Sequence, residues 1–168
     1  VVAYTGDGTY DGSYLVNHKL EVVPEMIIAK NRGGTNFWNT YHSGLTSDTW
    51  QVNLNRNSAQ LNTGQSWGPA AASFKPQYAG NSDYSSNHSG QNYVAFLFAT
   101  LPNISKVGSY SGTGNDINVD CGFTAGARFV LIKCIDDVDG DWYLWDSVRG
   151  IVSGNDPYLL LNSNAAQV

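Results

Sequence analysis

Charged side chains are scarce in this sequence. Nine Lys and Arg against 14 Asp and Glu, among 168 residues, give 14% charge and a net charge of −5, which argues against the clustered basic face that a nucleic-acid backbone requires. Long apolar runs are missing too. No stretch approaches the roughly 20 residues needed to span a bilayer as a helix, and the start, Val1-Val2-Ala3-Tyr4, has neither the charge nor the apolar core of a signal peptide. Neither nucleic acid nor membrane insertion is expected. Cysteine is limited to Cys121 and Cys134, too few to staple a disulfide scaffold. Both border apolar runs, where small buried thiols are common, so reduced structural thiols are expected. Glutamate occurs at Glu21 and Glu25 alone, on either side of Pro24, a poor arrangement for the facing carboxylates of glycoside hydrolysis. His18, His42 and His88 lack a Gly-x-Ser-x-Gly elbow, a reactive cysteine context or metal-ligand spacing. The expectation is therefore a protein without enzymatic activity, cofactor or metal.

Helical periodicity is also nearly absent, whereas strand signals are plentiful. Met26-Ile27-Ile28-Ala29, Tyr93-Val94-Ala95-Phe96-Leu97-Phe98-Ala99 and Phe129-Val130-Leu131-Ile132 are rich in β-branched and aromatic residues and are bounded by turn clusters. In Trp50-Gln51-Val52-Asn53-Leu54-Asn55 the apolar residues alternate with amides, predicting a half-exposed strand with its amides in water. Solubility without charge points to neutral polar side chains and many turns. The length suits one domain over residues 1–168, and the expected fold is all-β, an antiparallel β-sandwich.

The chain also matches itself. Tyr4-Thr5-Gly6-Asp7-Gly8 returns as Tyr110-Ser111-Gly112-Thr113-Gly114, and Met26-Ile27-Ile28-Ala29-Lys30 as Phe129-Val130-Leu131-Ile132-Lys133. Trp38 with Tyr41-His42-Ser43 corresponds to Trp142 with Trp145-Asp146-Ser147, and Asn55-Arg56-Asn57-Ser58-Ala59-Gln60 to Asn162-Ser163-Asn164-Ala165-Ala166-Gln167. Order and spacing are kept, so one unit is present twice, the first over 1–105 and the second, lacking its last third, over 106–168. A start without Met and a stop inside a unit lead to the expectation of a fragment of a longer polypeptide.

Several motifs admit a structural and a functional reading. The paired Tyr-x-Gly-x-Gly segments lack the following helix that a phosphate-cradling loop needs, and read as tight corners that use glycine's positive φ. Lys30 and Lys133 each close an apolar run; laying the stem along apolar surface with the ammonium in water is the simple reading, a pairing with acidic groups across a subunit contact the other. Asp136, Asp137, Asp139 and Asp141 cluster as calcium ligands do, yet the spacing fails the EF-hand pattern and a solvated acidic turn is preferred. Trp38, Tyr41 and His42, with Trp142, Trp145 and Asp146, combine aromatic faces with polar groups, the chemistry of sugar recognition, although rings kept in both copies also serve as core. With Asp139 and Asp141 from the acidic loop, these eight are the candidate ligand-binding residues. The polar, glycine-containing loops over 31–36 and 136–141 are the more plausible exposed recognition surfaces.

Over nearly its whole length the chain resembles a family of largely uncharacterised phage tail-fibre domains, many from marine phages. The resemblance is carried by Tyr4-Thr5-Gly6-Asp7-Gly8, Val23-Pro24-Glu25-Met26-Ile27-Ile28-Ala29-Lys30, Gly108-Ser109-Tyr110-Ser111-Gly112 and Gly122-Phe123. Its most specific part is Gly126-Ala127-Arg128-Phe129-Val130-Leu131-Ile132-Lys133 with Gly140-Asp141-Trp142 and Trp145-Asp146-Ser147-Val148-Arg149-Gly150-Ile151. The resemblance implies a sandwich of jelly-roll or lectin-like type, displayed on a virion tail fibre outside the cell, homotrimeric, among other virion proteins, with no catalytic residues. The expected function is structural and receptor-binding, with a host-surface glycan as the bound partner. A decoration or spacer module without a host receptor, and a polysaccharide depolymerase, are the alternatives.

Overall fold

The computed structural model describes residues 1–151, 154 and 156–168. The described residues form antiparallel strands and one single-turn 3-10 helix, Ser82–Tyr84. The strands are β1 (Val2–Thr5), β2 (Val16–Asn17), β3 (Met26–Asn31), β4 (Asn39–His42), β5 (Trp50–Asn53), β6 (Leu61–Asn62), β7 (Ser73–Phe74), β8 (Asn92–Phe98), β9 (Phe129–Lys133), β10 (Trp142–Asp146) and β11 (Leu159–Leu160). A six-stranded sheet runs β1-β8-β3-β4-β5-β6, a three-stranded sheet β11-β10-β9, and β2 pairs with β7. The longest strands are the β-branched and aromatic runs, which pack best on a pleated surface. They lie at the sheet centre, β8 between β1 and β3 with Tyr93 opposite Tyr4 and Ala95 opposite Ala29.

The pleat divides the large sheet into two apolar faces. One carries Tyr4, Ile27, Ala29, Tyr41, Tyr93 and Ala95 and is closed by Val16, Trp67 and Phe74, the last two fully buried. Tyr4 stacks on Tyr93 at 5.2 Å and meets Phe74 edge-on at 5.9 Å, geometries that add to the roughly 1.5–3 kcal/mol of each fully buried large apolar side chain. The other face carries Val52, Met26 and Trp50, with Leu45 and Leu54, and receives Trp142 and Leu131 from the second sheet and Ile135 from its β9–β10 loop. This contact makes the molecule a sandwich. Trp142 is 4% exposed, and its indole Nε1 donates to the Asn53 carbonyl at 2.9 Å.

β5 departs from the expected half-exposed strand. Its apolar side faces the second sheet as the alternation requires, but its amide side is buried as well, with Gln51 0% and Asn53 3% exposed. Both amides converge on Asn39 of β4: Gln51 Nε2 donates to Asn39 Oδ1 at 3.1 Å, and Asn53 Nδ2 donates to the same atom at 2.8 Å. Their N–H groups find an acceptor inside, although Gln51 Oε1 has no partner among the described residues, so alternation with polar residues does not by itself mark a solvated face. The cysteines carry a smaller correction: both are free, but Cys134 is exposed and Cys121 half-buried, since the segments beside them are open loops.

The repeat holds to the level of single hydrogen bonds. Met26 opposite His42 and Ile27 opposite Tyr41 are matched by Phe129 opposite Asp146 and Val130 opposite Trp145. The Trp38 N–H donates to Asn55 Oδ1 at 3.0 Å, and the Trp142 N–H to Asn162 Oδ1 at 2.8 Å. The two lysines repeat as well, and not by resting in water. Lys30 Nζ donates to the carbonyls of Gly34 and Asn36 at 2.7 and 2.8 Å, and Lys133 Nζ to those of Gly140 and Asn57. Each ties down the loop after its own strand, and burial pushes both ammonium pKa values below the usual lysine range.

Candidate functional site

The eight residues singled out by sequence do not come together. Tyr41 is 7% exposed and leans on Trp67 in the first core, and Trp142 lies in the second, so neither offers a ring to a ligand. Trp38 is half-buried, and its carbonyl accepts from the Leu54 N–H and the Thr40 hydroxyl. His42 Nδ1 accepts from the Gly44 N–H at 2.9 Å, which leaves the proton of the neutral ring on Nε2; burial holds its pKa below the usual histidine range, against the opposing pull of Glu25. Asp146 accepts the N–H groups of Val148 and Arg149 and pairs with the Arg149 guanidinium. Asp141 accepts from Asn162 Nδ2 at 2.7 Å, and Asp139 is exposed at the tip of its loop. Trp145 stacks on Tyr143 at 5.8 Å and leans on Tyr158 at 5.9 Å, the one half-covered aromatic cluster among the eight. Among the described residues no three His, Cys, Asp or Glu side chains converge to hold a metal ion.

The loops are more informative. At the end of the large sheet where β1 and β3 finish and β8 begins, a cleft of about 480 Å³ is lined by Asp7, Asn31, Asn36, Tyr78, His88 and Gln91, together with Gly8, Ser82 and Ser89. The Tyr-x-Gly-x-Gly corner builds one wall. A Cβ on Gly6 would lie 2.3 Å from the His88 carbonyl oxygen, so only glycine lets the two segments cross; Gly8 sits at φ +78°, a conformation glycine adopts without cost. Asp7 joins the segments. Its Oδ1 accepts from the Thr9 N–H, the Thr9 hydroxyl and Asn87 Nδ2, while its own N–H donates to Asn87 Oδ1. Burial alone would raise the Asp7 pKa, but the bonds from Thr9 and Asn87 outweigh it and hold the carboxyl below its ordinary value. The group is thus a carboxylate at neutral pH.

The opposite wall is the β3–β4 loop. Asn31 Oδ1 accepts from the Gly33 N–H at 2.9 Å, Lys30 holds the carbonyls of Gly34 and Asn36, and Asn36 Nδ2 reaches the Ser82 carbonyl at 3.1 Å. The rim is aromatic: the Tyr78 ring meets His88 edge-on at 5.1 Å, and the exposed Tyr10 meets Tyr78 at 6.2 Å. His88 Nε2 is buried without a hydrogen-bond partner among the described residues, an orphan of the kind a ligand or a water satisfies. The arrangement offers amide donors and acceptors, hydroxyls, one carboxylate and ring edges to a neutral polar molecule.

A second cleft, about 470 Å³, lies between the units and is lined by Phe37, Asn55, Arg56, Asn57, Asp141, Leu160, Asn162 and Ser163. Its polar groups are largely committed: Asn55 and Asn162 receive the two tryptophan N–H groups, Asn162 binds Asp141, and the Arg56 guanidinium lies 4.7 Å over the Phe37 ring. The first cleft, with the unpartnered His88 Nε2 and the exposed Ser89 and Gln91 side chains, is the better candidate. Of its lining, the 31–36 loop was foreseen as a recognition surface; Asp7, Tyr78, His88 and Gln91 were not, because they lie up to 84 positions apart. The signal that could have joined them is the Gly6 corner, whose missing side chain demands a close neighbour.

No curated protein and no solved structure matches the chain significantly. A family of domains of unknown function, DUF7483, matches residues 1–168, and the chain belongs to that family.

Proposed function

We propose that this chain is a non-enzymatic binding module that takes up a neutral glycan of a host surface in the cleft between Asp7, Asn31, Asn36 and Gln91, within a homotrimeric phage tail fibre. The observation that carries this reading is the cleft itself, where amides, hydroxyls and a carboxylate meet the edges of Tyr78 and His88. Sugars need this mixture, hydrogen-bond partners for their hydroxyls and an apolar surface for their C–H faces. The absence of catalysis is supported by the lining, in which Asp7 is the one carboxylate, whereas glycoside hydrolysis uses two. The tail-fibre setting, with other virion proteins as neighbours, rests on the resemblance carried by the run from Gly126 to Ile151. Weak sites suffice in such a fibre, because three linked copies raise avidity without any new contact.

The test is a glycan array probed with multivalently displayed protein, wild type beside Ser89→Ala and Gln91→Ala. Both side chains are exposed on the cleft rim, so the variants keep the fold, and each lost polar contact weakens binding roughly five- to tenfold. An array without a hit, or hits indifferent to both substitutions, overturns the reading. Release of reducing ends from a bound polysaccharide overturns its non-enzymatic part.

A further inference from the structure

The two units share β3-β4-β5 and β9-β10-β11, but what covers them differs. In the first unit β8 lies along β3, with Leu97 opposite Ile27 and Ala95 opposite Ala29, and β1 lies on the far side of β8. In the second unit β9 is the sheet edge. Val130 and Ile132, the counterparts of the fully buried Ile27 and Ala29, are only half-buried, and Phe129 is 57% exposed. Trp145 and Tyr143, opposite Val130 and Ile132 and so on the same face, are half-buried too. The counterpart of β1, around Tyr110, forms no strand and is exposed. β9 carries no proline, and its one charged side chain, Lys133 at its end, is taken up by the carbonyls of Gly140 and Asn57, so the Phe129–Ile132 edge lacks the charges and prolines by which proteins blunt an edge against pairing.

The glycines give an independent sign. Gly6 is required because the His88 carbonyl passes within 2.3 Å of where its Cβ would be, whereas nothing lies within 4 Å of the same position on Gly112. Among the described residues nothing crosses Gly112 as His88 crosses Gly6.

We infer that the β9 edge is the docking site of a polypeptide strand with the pattern of β8, led in by a small-residue turn like that over 87–91. The strand lies antiparallel to β9, between it and the segment around Tyr110. Its inward positions, counterparts of Tyr93, Ala95 and Leu97, cover Val130, Ile132 and Trp145, and its leading turn crosses Gly112 as His88 crosses Gly6. Main-chain hydrogen bonds supply affinity and the alternating side chains specificity, as in other strand additions. The partner is thus an uncharged, alternating strand and not a second β9 edge, because the register and the glycine both match β8. This is independent of what the cleft binds.

The test adds a peptide covering residues 87–99, with terminal lysines for solubility, to the full chain and follows hydrogen exchange of the β9 amides that face away from β10. The same segment is also fused after Val168 through a flexible linker, which raises its effective concentration to roughly millimolar and removes weak affinity as an explanation of failure. The expected result is exchange slowed tenfold or more, lost when Val94 and Phe96 of the added segment are replaced by proline. Gly112→Ala abolishes the slowing without lowering the melting temperature of the unmixed chain. Unslowed exchange in the fused protein overturns the inference, as does indifference to Gly112→Ala. Slowing in the chain alone that grows with concentration and tracks a dimer in sedimentation also overturns it, because the occupant is then a second copy.

Discussion

Substituting alanine at Gly6 and, separately, at Gly112 makes the same chemical change at the same place in two copies of one motif, with opposite consequences. At Gly6 the new Cβ lies 2.3 Å from the His88 carbonyl oxygen and 2.9 Å from the Asn87 carbonyl carbon, both backbone atoms that no rotamer change can move. The 87–91 turn must retreat by about an ångström, pulling on the Asp7–Asn87 bonds and on the His88 N–H that donates to the Tyr93 hydroxyl at 3.1 Å. The expected cost is about 2–3 kcal/mol, the upper part of the range for overpacking, or a fall of roughly 4–12 °C in melting temperature for a chain this long. At Gly112 the methyl group meets nothing within 4 Å, and alanine there leaves stability unchanged or raises it by about 0.4–1 kcal/mol through the unfolded chain. Urea denaturation of the three proteins under one buffer decides the matter. Equal losses at both positions would refute the reasoning, since they would mean that motif sequence, and not the crossing of Gly6 with His88, sets the requirement.

The remaining predictions concern the sandwich interface, the loop anchors and pH. Trp142→Phe removes the donor of the buried Asn53 carbonyl and part of the second core; denaturation should show a loss of roughly 2–4 kcal/mol. Lys30→Met frees the carbonyls of Gly34 and Asn36, costing about 1–2 kcal/mol, low for bonds to a charged donor because the ammonium is part-solvated. Its larger effect is on the cleft wall, so proteolysis should speed up at 32–37 before it does elsewhere. His42 has its folded pKa below its unfolded one, chiefly through burial, so as pH falls below about 6.5 the unfolded state takes up its proton first and stability declines until the folded pKa is passed. Denaturation at intervals from pH 7.5 to 5 should show this slope in the wild type and a shallower one in His42→Gln.

The central strands were legible because burial on both faces of β3 and β8 demands continuous β-branched and aromatic residues, which no helix pattern imitates. The repeat was legible down to register: the match of Tyr41-His42 with Trp145-Asp146 is the pairing of β4 and β10 with β3 and β9. Burial was not legible where polar groups bond to one another inside. Gln51 and Asn53 read as solvent-facing, yet both lie inside on Asn39, a partner 12 and 14 positions away that alternation cannot reveal. The aromatic candidates failed for a related reason. A ring kept in both copies is kept for packing, and Tyr41 and Trp142 fill the two cores. The cleft was hidden because its walls are joined by contacts such as Asp7 with Asn87, 80 positions apart.

Comparing the units position by position separates what the fold needs from what the cleft adds. Residues that recur in both, Gly6 and Gly112, Lys30 and Lys133, Trp38 and Trp142, Asn55 and Asn162, are corners, loop anchors and strand ties in the first unit, and the last three pairs repeat their hydrogen bonds in the second. The cleft lining does not recur. By the same alignment Asp7 becomes Thr113, Asn31 becomes Cys134 and Asn36 becomes Gly140. The second unit holds its β9–β10 hairpin without a carboxylate or an amide at those places, so a hairpin of this kind does not require them. In the first unit Asp7 and Asn36 tie their loops to Asn87 and Ser82, segments that have no counterpart in the second, and both line the cleft. The docking edge and the cleft consequently divide between the copies: the first unit spends its edge on its own β8 and gains a walled site, whereas the second leaves its edge open for a strand. A strand docked there would cross Gly112 beside Thr113, and the wall it completed would lack the carboxylate that Asp7 gives the first cleft.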